Sequence, residues 1–346
     1  MPPAPASTTF DKPDTRAAAR TDFIQKSGWS DATVTDLRAD TSVRRYYRLT
    51  RTTGSPQTAI LMDARPPMED TAAFEFMDKK FKALGFSVPD IYAADHTMGF
   101  VLIEDFGDDT FFNLINEQHR DPQPLLELAV DALVQKYKAD PAVALDGSVA
   151  YSDDYWLFRV EQFLDHYVPH VTKMHVNDDV RADYKRLFKT VLDRAHQFPD
   201  VLLHGDYVVQ NLMYLPDRPG VKALGLLDFQ DMTDARGNMC GSPAFDLAFL
   251  VHDVRANYPA DLRAVLKERF IVGAGITDRV QFDYEYAAIV AAQAAKCLGL
   301  FARFGYANGR TEYLEFIPYC WRNLRDAFTH PGLAELKAWF DMHGGK

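Results

Sequence analysis

Apolar and polar positions alternate along the chain with two different periods. From Thr15 to Gly28 the text is helical, with Gly28 as its stop. Val34 to Leu37 and Tyr46 to Thr50 read as strands flanking a turn at Asp40-Thr41-Ser42, and Thr58 to Asp63 reads as a third. Between Thr71 and Leu84 the apolar residues Phe74, Met77, Phe81 and Leu84 recur at helical spacing, and Gly85 ends the run. Ile91 to Ala94 and Phe100 to Glu104 give two further strands. From Phe111 the chain is mostly helical, except for Val201 to Asp231, and helices resume near Phe245. The expected class is α+β and bilobal: a disordered tail over 1–14, a small β-rich N-lobe over 15–105 and a mostly helical C-lobe over 106–346.

The interruption holds the chemistry. Val201-Leu202-Leu203 is a short buried strand or strand end, and His204-Gly205-Asp206 follows it directly. A glycine there lets the backbone turn sharply, so that Asp206 projects from a fixed loop. Asn211 closes the same loop. Leu212 to Leu215 and Ala223 to Leu227 read as strands joined by Pro216-Asp217-Arg218-Pro219-Gly220, which has turn chemistry. A hairpin of this kind brings Asn211 and Asp228 together. An Asp, an Asn five residues on and a second Asp seventeen further match the order and spacing of a kinase-type phosphotransfer site. Asp206 would accept the proton of the attacking hydroxyl, while Asn211 and Asp228 would hold the Mg²⁺ that carries ATP. Taken singly, Asp206 would be a turn residue and Asp228 a strand-end cap; the three together at this spacing favour phosphotransfer. His204 reads as structural rather than catalytic.

These residues resemble the aminoglycoside phosphotransferase and choline kinase superfamily, which has the protein-kinase-like fold and carries an H-G-D-x-x-x-x-N loop followed by a D-x-x-D-type metal segment. Further segments are similar to the bacterial N-acetylmuramate/N-acetylglucosamine anomeric kinases. Arg38 to Arg48 resembles that family's G-D-A-S-F-R-R-Y-F-R signature, and Ala59 to Pro67 its I-V-M-D-A-P-P. Phe100 to Asp108 resembles its hinge and Gly225 to Asp231 its metal segment; Ala244 to Ala248 and Leu314 to Pro318 also have counterparts. The resemblance runs from about Arg20 to the C-terminus. It departs at Ala39, where the family has Gly, at Val43, where it has an aromatic residue, and at the inserted Arg65. It implies phosphorylation of the anomeric hydroxyl of an amino sugar, feeding peptidoglycan recycling in the cytoplasm. Rival readings are an aminoglycoside or choline-type kinase and a nucleotide-binding pseudokinase scaffold.

Protein kinases hold the α/β-phosphates with a lysine on the third strand; this chain has Met62 there, which speaks for the pseudokinase. Arg44 and Arg45 are the expected replacements, since a guanidinium fork suits phosphate, with Arg44 and Arg48 on one strand face and Arg45 on the other. A solvated basic edge explains them equally well. Glu104 and Phe106 flank the expected hinge, whose backbone would bond the adenine edge. Glu75 reads as a solvated helix residue or an arginine partner. Gln210, Asp231 and Asp246 are candidates for support, Asp231 near metal or substrate and Asp246 as an N-cap; the resemblance implies that Asp246 braces the catalytic loop. Tyr155, Trp156, Phe158, Phe163 and Tyr167 sit at spacings more typical of core than of sugar contacts.

Composition narrows the partners. A net charge of −11 without a Lys/Arg run argues against nucleic acid. Cys240, Cys297 and Cys320 are scattered, with no zinc or disulfide pattern. No stretch reads as a membrane span, and the Pro/Ala/Ser/Thr-rich start, Met1 to Thr9, lacks the apolar core of a secretion signal. A small-molecule substrate is the expected partner.

Overall fold

A computed structural model describes residues 14–37, 44–230, 233–234 and 237–344. The predicted tail up to residue 13, the turn at Asp40-Thr41-Ser42 and Asp231 lie outside the described residues. The chain divides into two compact units: Met1–Glu75 with Pro89–Asp105, and Phe76–Val88 with Phe106–Lys346.

The first unit is an antiparallel sheet of five strands, β1 (Thr33–Leu37), β2 (Arg45–Thr50), β3 (Thr58–Asp63), β4 (Ile91–Asp95) and β5 (Phe100–Glu104). Their spatial order is β1-β2-β3-β5-β4. Side chains alternate faces along a strand. In register, Tyr47 lies opposite Leu61 and Leu61 opposite Leu102. That row, with Leu49, Ala59 and Phe100, is buried under Phe23 and Ile24 of helix α1 (Ala17–Lys26) and under Trp29. Arg16 and Arg20, at the start of α1, reach the buried Asp63 at the end of β3, at 2.6 and 3.4 Å. Helix α2 (Thr71–Ala83) follows β3, and the division between the units falls within it.

The second unit is built on helices: α3 (Pro122–Tyr137), α4 (Pro141–Ala144), α5 (Asp153–Gln162), α6 (Asp178–Asp193), α7 (Ala244–Val251), α8 (Ala260–Ala274), α9 (Arg279–Ala302), α10 (Ile317–Ala327) and α11 (Ala334–His343). Helix α9 is its axis, packed by α5, α7 and α10. The stretch 279–307, which includes α9, is long and apolar enough to cross a membrane, a property the sequence reading passed over, but most of it is buried inside this unit. A helix apolar on every side belongs in a core or a bilayer, and here the neighbouring helices supply the core. Trp156, Phe163 and Tyr167 are buried as expected, whereas Phe158 is exposed.

Two small sheets were only partly foreseen. β8 (Leu212–Tyr214) and β9 (Leu224–Leu226) form the predicted hairpin, with Leu212 opposite Leu226. β7 (Val201–Leu202) pairs with β11 (Gly237–Gly241), which also pairs with β6 (Ser148–Ala150) and β10 (Thr233–Asp234). Strands of two or three residues, and the five of β11 with a glycine at each end, carry almost no periodic signal.

Candidate active site

The loop from His204 to Asn211 leaves β7 in an abrupt turn. Gly205 takes φ +87°, which only glycine adopts without strain. The turn is then pinned from outside: the backbone N–H groups of His204 and Gly205 donate to the two carboxylate oxygens of Asp246, at 2.9 and 3.0 Å. Asp246 is fully buried and also pairs with Lys136 of α3. Burial works against its charge, but the Lys136 ammonium, the His204 ring and the loop N–H groups outweigh it and hold the carboxyl below its usual range. The expected N-cap role is not what Asp246 performs. Pro243 precedes α7, and Asp246 lies in the helix's first turn with its carboxylate turned to the loop.

His204 is buried, its ring edge-on to Tyr207 at 5.4 Å and near Phe81 and Phe229. The Tyr207 hydroxyl donates to the Ala129 carbonyl of α3 at 2.9 Å. The loop thus rests on α3 and α7, and its polar tip is left for Asp206.

Asp206 and Asn211 meet as the spacing predicts. Asn211 Nδ2 donates to both the backbone carbonyl and Oδ2 of Asp206, each at 2.9 Å. Asp206 Oδ1 and Asn211 Oδ1 have no donor among the described residues. Across the hairpin, the Leu227 N–H donates to the Asn211 carbonyl at 2.9 Å, which sets Asp228 beside the loop's end. Asp228 stands in the left-handed region at φ +56°, and Gln230 Nε2 donates to its Oδ1 at 2.7 Å. Gln210 lies half-buried in the short turn ahead of Asn211.

Asn211 and Asp228 are the two oxygen-bearing side chains at this point that could hold a hard cation. Among the described residues no group of three His, Cys, Asp or Glu is gathered as a metal cage. Such a sparse oxygen set suits Mg²⁺, which keeps waters and leans on phosphate oxygens.

Sequence reasoning missed several groups around this loop. Asp253 is buried and accepts from the N–H groups of Val209 and Arg255, at 3.4 and 2.9 Å. Lys136 was legible in principle: it continues the buried stripe Leu126, Ala129, Val130, Leu133 of α3, where a lysine needs a buried partner. Asp253, Arg255 and Lys296 left no comparable signal.

In the first unit, Arg44 is buried against Glu69 at 2.9 Å, and Arg48 pairs with Asp105 at 2.8 Å. Arg45 pairs instead with Asp36 at 2.5 Å and lies near the Tyr47 ring, on the α1 side of the sheet. Met62 is buried opposite Tyr46. Glu75 meets His96 at 2.8 Å. Glu104 ends β5 and accepts from the Asp90 N–H at 3.2 Å. Phe106 belongs to the second unit, where the Arg218 guanidinium lies 5.0 Å from its ring.

Comparison with known proteins agrees with this geometry. The model of the phosphotransferase enzyme family matches residues 33–289. An N-acetylmuramate/N-acetylglucosamine kinase of Caulobacter vibrioides is 31% identical over 95% of this chain and 96% of its own length. A kinase of the same name from Pseudomonas putida is 30% identical over 91% of this chain and 90% of its own. Among solved structures, a choline/ethanolamine kinase family protein from Mesorhizobium loti superposes with a TM-score of 0.58 at 13% identity, covering 94% of this chain and 98% of that one. The fold is the protein-kinase-like one, and the chain belongs to the phosphotransferase enzyme family.

Proposed function

We propose that this protein is an ATP- and Mg²⁺-dependent kinase of the cytoplasm that phosphorylates the anomeric hydroxyl of N-acetylmuramate and N-acetylglucosamine in cell-wall recycling. The observation that carries the reading is the Asp206–Asn211 pair on a loop clamped by a buried carboxylate. Identity of about 30% to sugar kinases over nearly the whole chain supports the choice of acceptor.

In this reading Asn211 Nδ2 fixes Asp206 Oδ2, which leaves Oδ1 to take a hydrogen bond from the acceptor hydroxyl and to hold its proton as the new O–P bond forms, the bond from the γ-phosphorus to the β,γ-bridging oxygen breaks and ADP leaves. Mg²⁺ would be held by Asn211 Oδ1 and the Asp228 carboxylate, and would supply charge neutralisation on the phosphates. Asp246 works through the backbone: with His204 and Gly205 tied down, Asp206 cannot swing away, which is pre-organisation rather than chemistry. Arg44, beside Glu69, and Arg45, beside Asp36 on the α1 side of the sheet, are the two stand-ins for the missing strand lysine. Glu104 and Phe106 keep the hinge role that the resemblance implies.

The test is mass-spectrometric detection of sugar phosphate from purified protein with ATP and Mg²⁺, offered N-acetylmuramate, N-acetylglucosamine, glucose, kanamycin and choline. Product from the two N-acetyl sugars, lost when the anomeric hydroxyl is blocked, is expected. Product from kanamycin or choline alone would reassign the acceptor, and ATP binding without any turnover would favour the scaffold.

A further inference from the structure

Helices α5 and α9 cross in backbone contact. A Cβ at Gly299 of α9 would lie 2.1 Å from the Gln162 carbonyl carbon at the end of α5, so only glycine fits there. One turn before that crossing, α9 carries Lys296 and α5 carries Arg159. Both side chains are half-buried. The Arg159 guanidinium lies 4.5 Å from the Tyr155 ring, and the Lys296 ammonium 5.2 Å from the Phe249 ring of α7. Neither has a carboxylate or other hydrogen-bond acceptor among the described residues. Most other half-buried cations of this unit do: Arg269 has Asp131 and Glu127, Arg263 has Asp326, and Arg181 has Asp165 and Glu161.

Two cations set within reach of each other, partly out of water and with no anion paired to either among the described residues, repel. Burial first and then the Arg159 charge push the Lys296 ammonium below its ordinary lysine value, and Asp206 lies close enough to oppose that. Gln293, one turn before Lys296 on the same face, has a buried Oε1 with no donor. Lys296 therefore shares electrostatic surroundings with the base that would meet the acceptor hydroxyl, and neither Lys296 nor its neighbour Arg159 is paired with an anion among the described residues.

We propose that Lys296 and Arg159 are specificity-determining residues that bind a carboxylate carried by the acceptor sugar, so that the site reads an acidic amino sugar in preference to its neutral counterpart. The inference rests on the proposed function for the sugar and adds the groups that distinguish its acidic from its neutral form. N-acetylmuramate differs from N-acetylglucosamine by a lactyl ether ending in a carboxylate. A guanidinium fork and an ammonium are the two side chains suited to that group. The neutral sugar leaves the cations hydrated and gains nothing from them.

The experiment compares kcat/KM for N-acetylmuramate and N-acetylglucosamine in the parent protein, Lys296→Met, Lys296→Arg and Arg159→Met. Loss of a hydrogen bond to a charged group corresponds to about tenfold to a hundredfold in binding. The ratio of kcat/KM for the acidic over the neutral sugar is expected to fall by about that factor in Lys296→Met and Arg159→Met, chiefly through KM, with Lys296→Arg recovering most of it. An unchanged ratio overturns the proposal. So does an equal loss on both sugars through kcat, which would place the cations on the transferring phosphoryl group. If the parent phosphorylates neither sugar, the proposed function fails separately, and calorimetric binding of N-acetylmuramate decides the inference. Binding to the parent that weakens in Lys296→Met sustains it, and no binding, or binding unaffected by the substitution, overturns it.

Discussion

Asp206 and Asp246 are both aspartates of one loop system, yet their environments give them opposite work. Asp206 is half-exposed, held by one amide and open at Oδ1, whereas Asp246 is buried, ionised and saturated by Lys136 and two backbone donors. Asp206→Asn is expected to lower kcat by about 10²- to 10⁴-fold, the usual weight of general-base catalysis, with unfolding little changed. A melting temperature that falls along with kcat would make Asp206 structural. Asp246→Asn leaves Lys136 buried without a counter-charge, which costs about 3–5 kcal/mol. The sign of its pH dependence follows from the carboxyl being held below its usual pKa range. The ionised carboxylate stabilises the fold fully above about pH 4, the ordinary carboxylate value, and that contribution disappears only as the pH falls below it. Denaturant unfolding of parent and variant at several pH values should show a constant gap from pH 7 to about pH 5 that closes in stronger acid. A gap that widens in acid would refute the assignment.

Among elements, legibility followed length and period. Helix α2 and strands β2, β3 and β5 were readable because Phe74, Met77 and Phe81, or Tyr47, Leu49 and Leu61, repeat at one spacing on one buried face. The β8–β9 hairpin was readable from its proline- and glycine-rich turn. The sheet of β6, β7, β10 and β11 was not, because pairing between segments some ninety residues apart is a tertiary fact. The same distinction divides the site. Asp206, Asn211 and Asp228 have a fixed local spacing, while Lys136, through Asp246, and Asp253 reach the loop from separate parts of the chain. The α5–α9 crossing gives the element-scale prediction. Gly299→Ala presses a methyl onto backbone that cannot rotate aside, for about 1–3 kcal/mol of lost stability measured by denaturant titration. A neutral result would mean that the crossing can open without cost.

For the whole molecule, a metal held by Asn211 and Asp228 alone among the described residues is expected to serve the reaction more than the fold. Chelation with EDTA is expected to abolish turnover, and added Mg²⁺ to restore it, with the melting temperature moving by no more than about 2 °C. A large drop in melting temperature on chelation would instead mark a structural ion. The backbone at Asp228 bears on the scaffold alternative. A non-glycine residue at φ +56° gives up roughly 1 kcal/mol that glycine would recover, and aspartate and glycine codons differ by a single base. A lineage released from phosphotransfer would drift readily to glycine there and gain stability in doing so. Asp228→Gly is accordingly expected to raise the stability measured by denaturant titration while turnover is lost, and a stabilised variant with turnover intact would remove Asp228 from the chemistry.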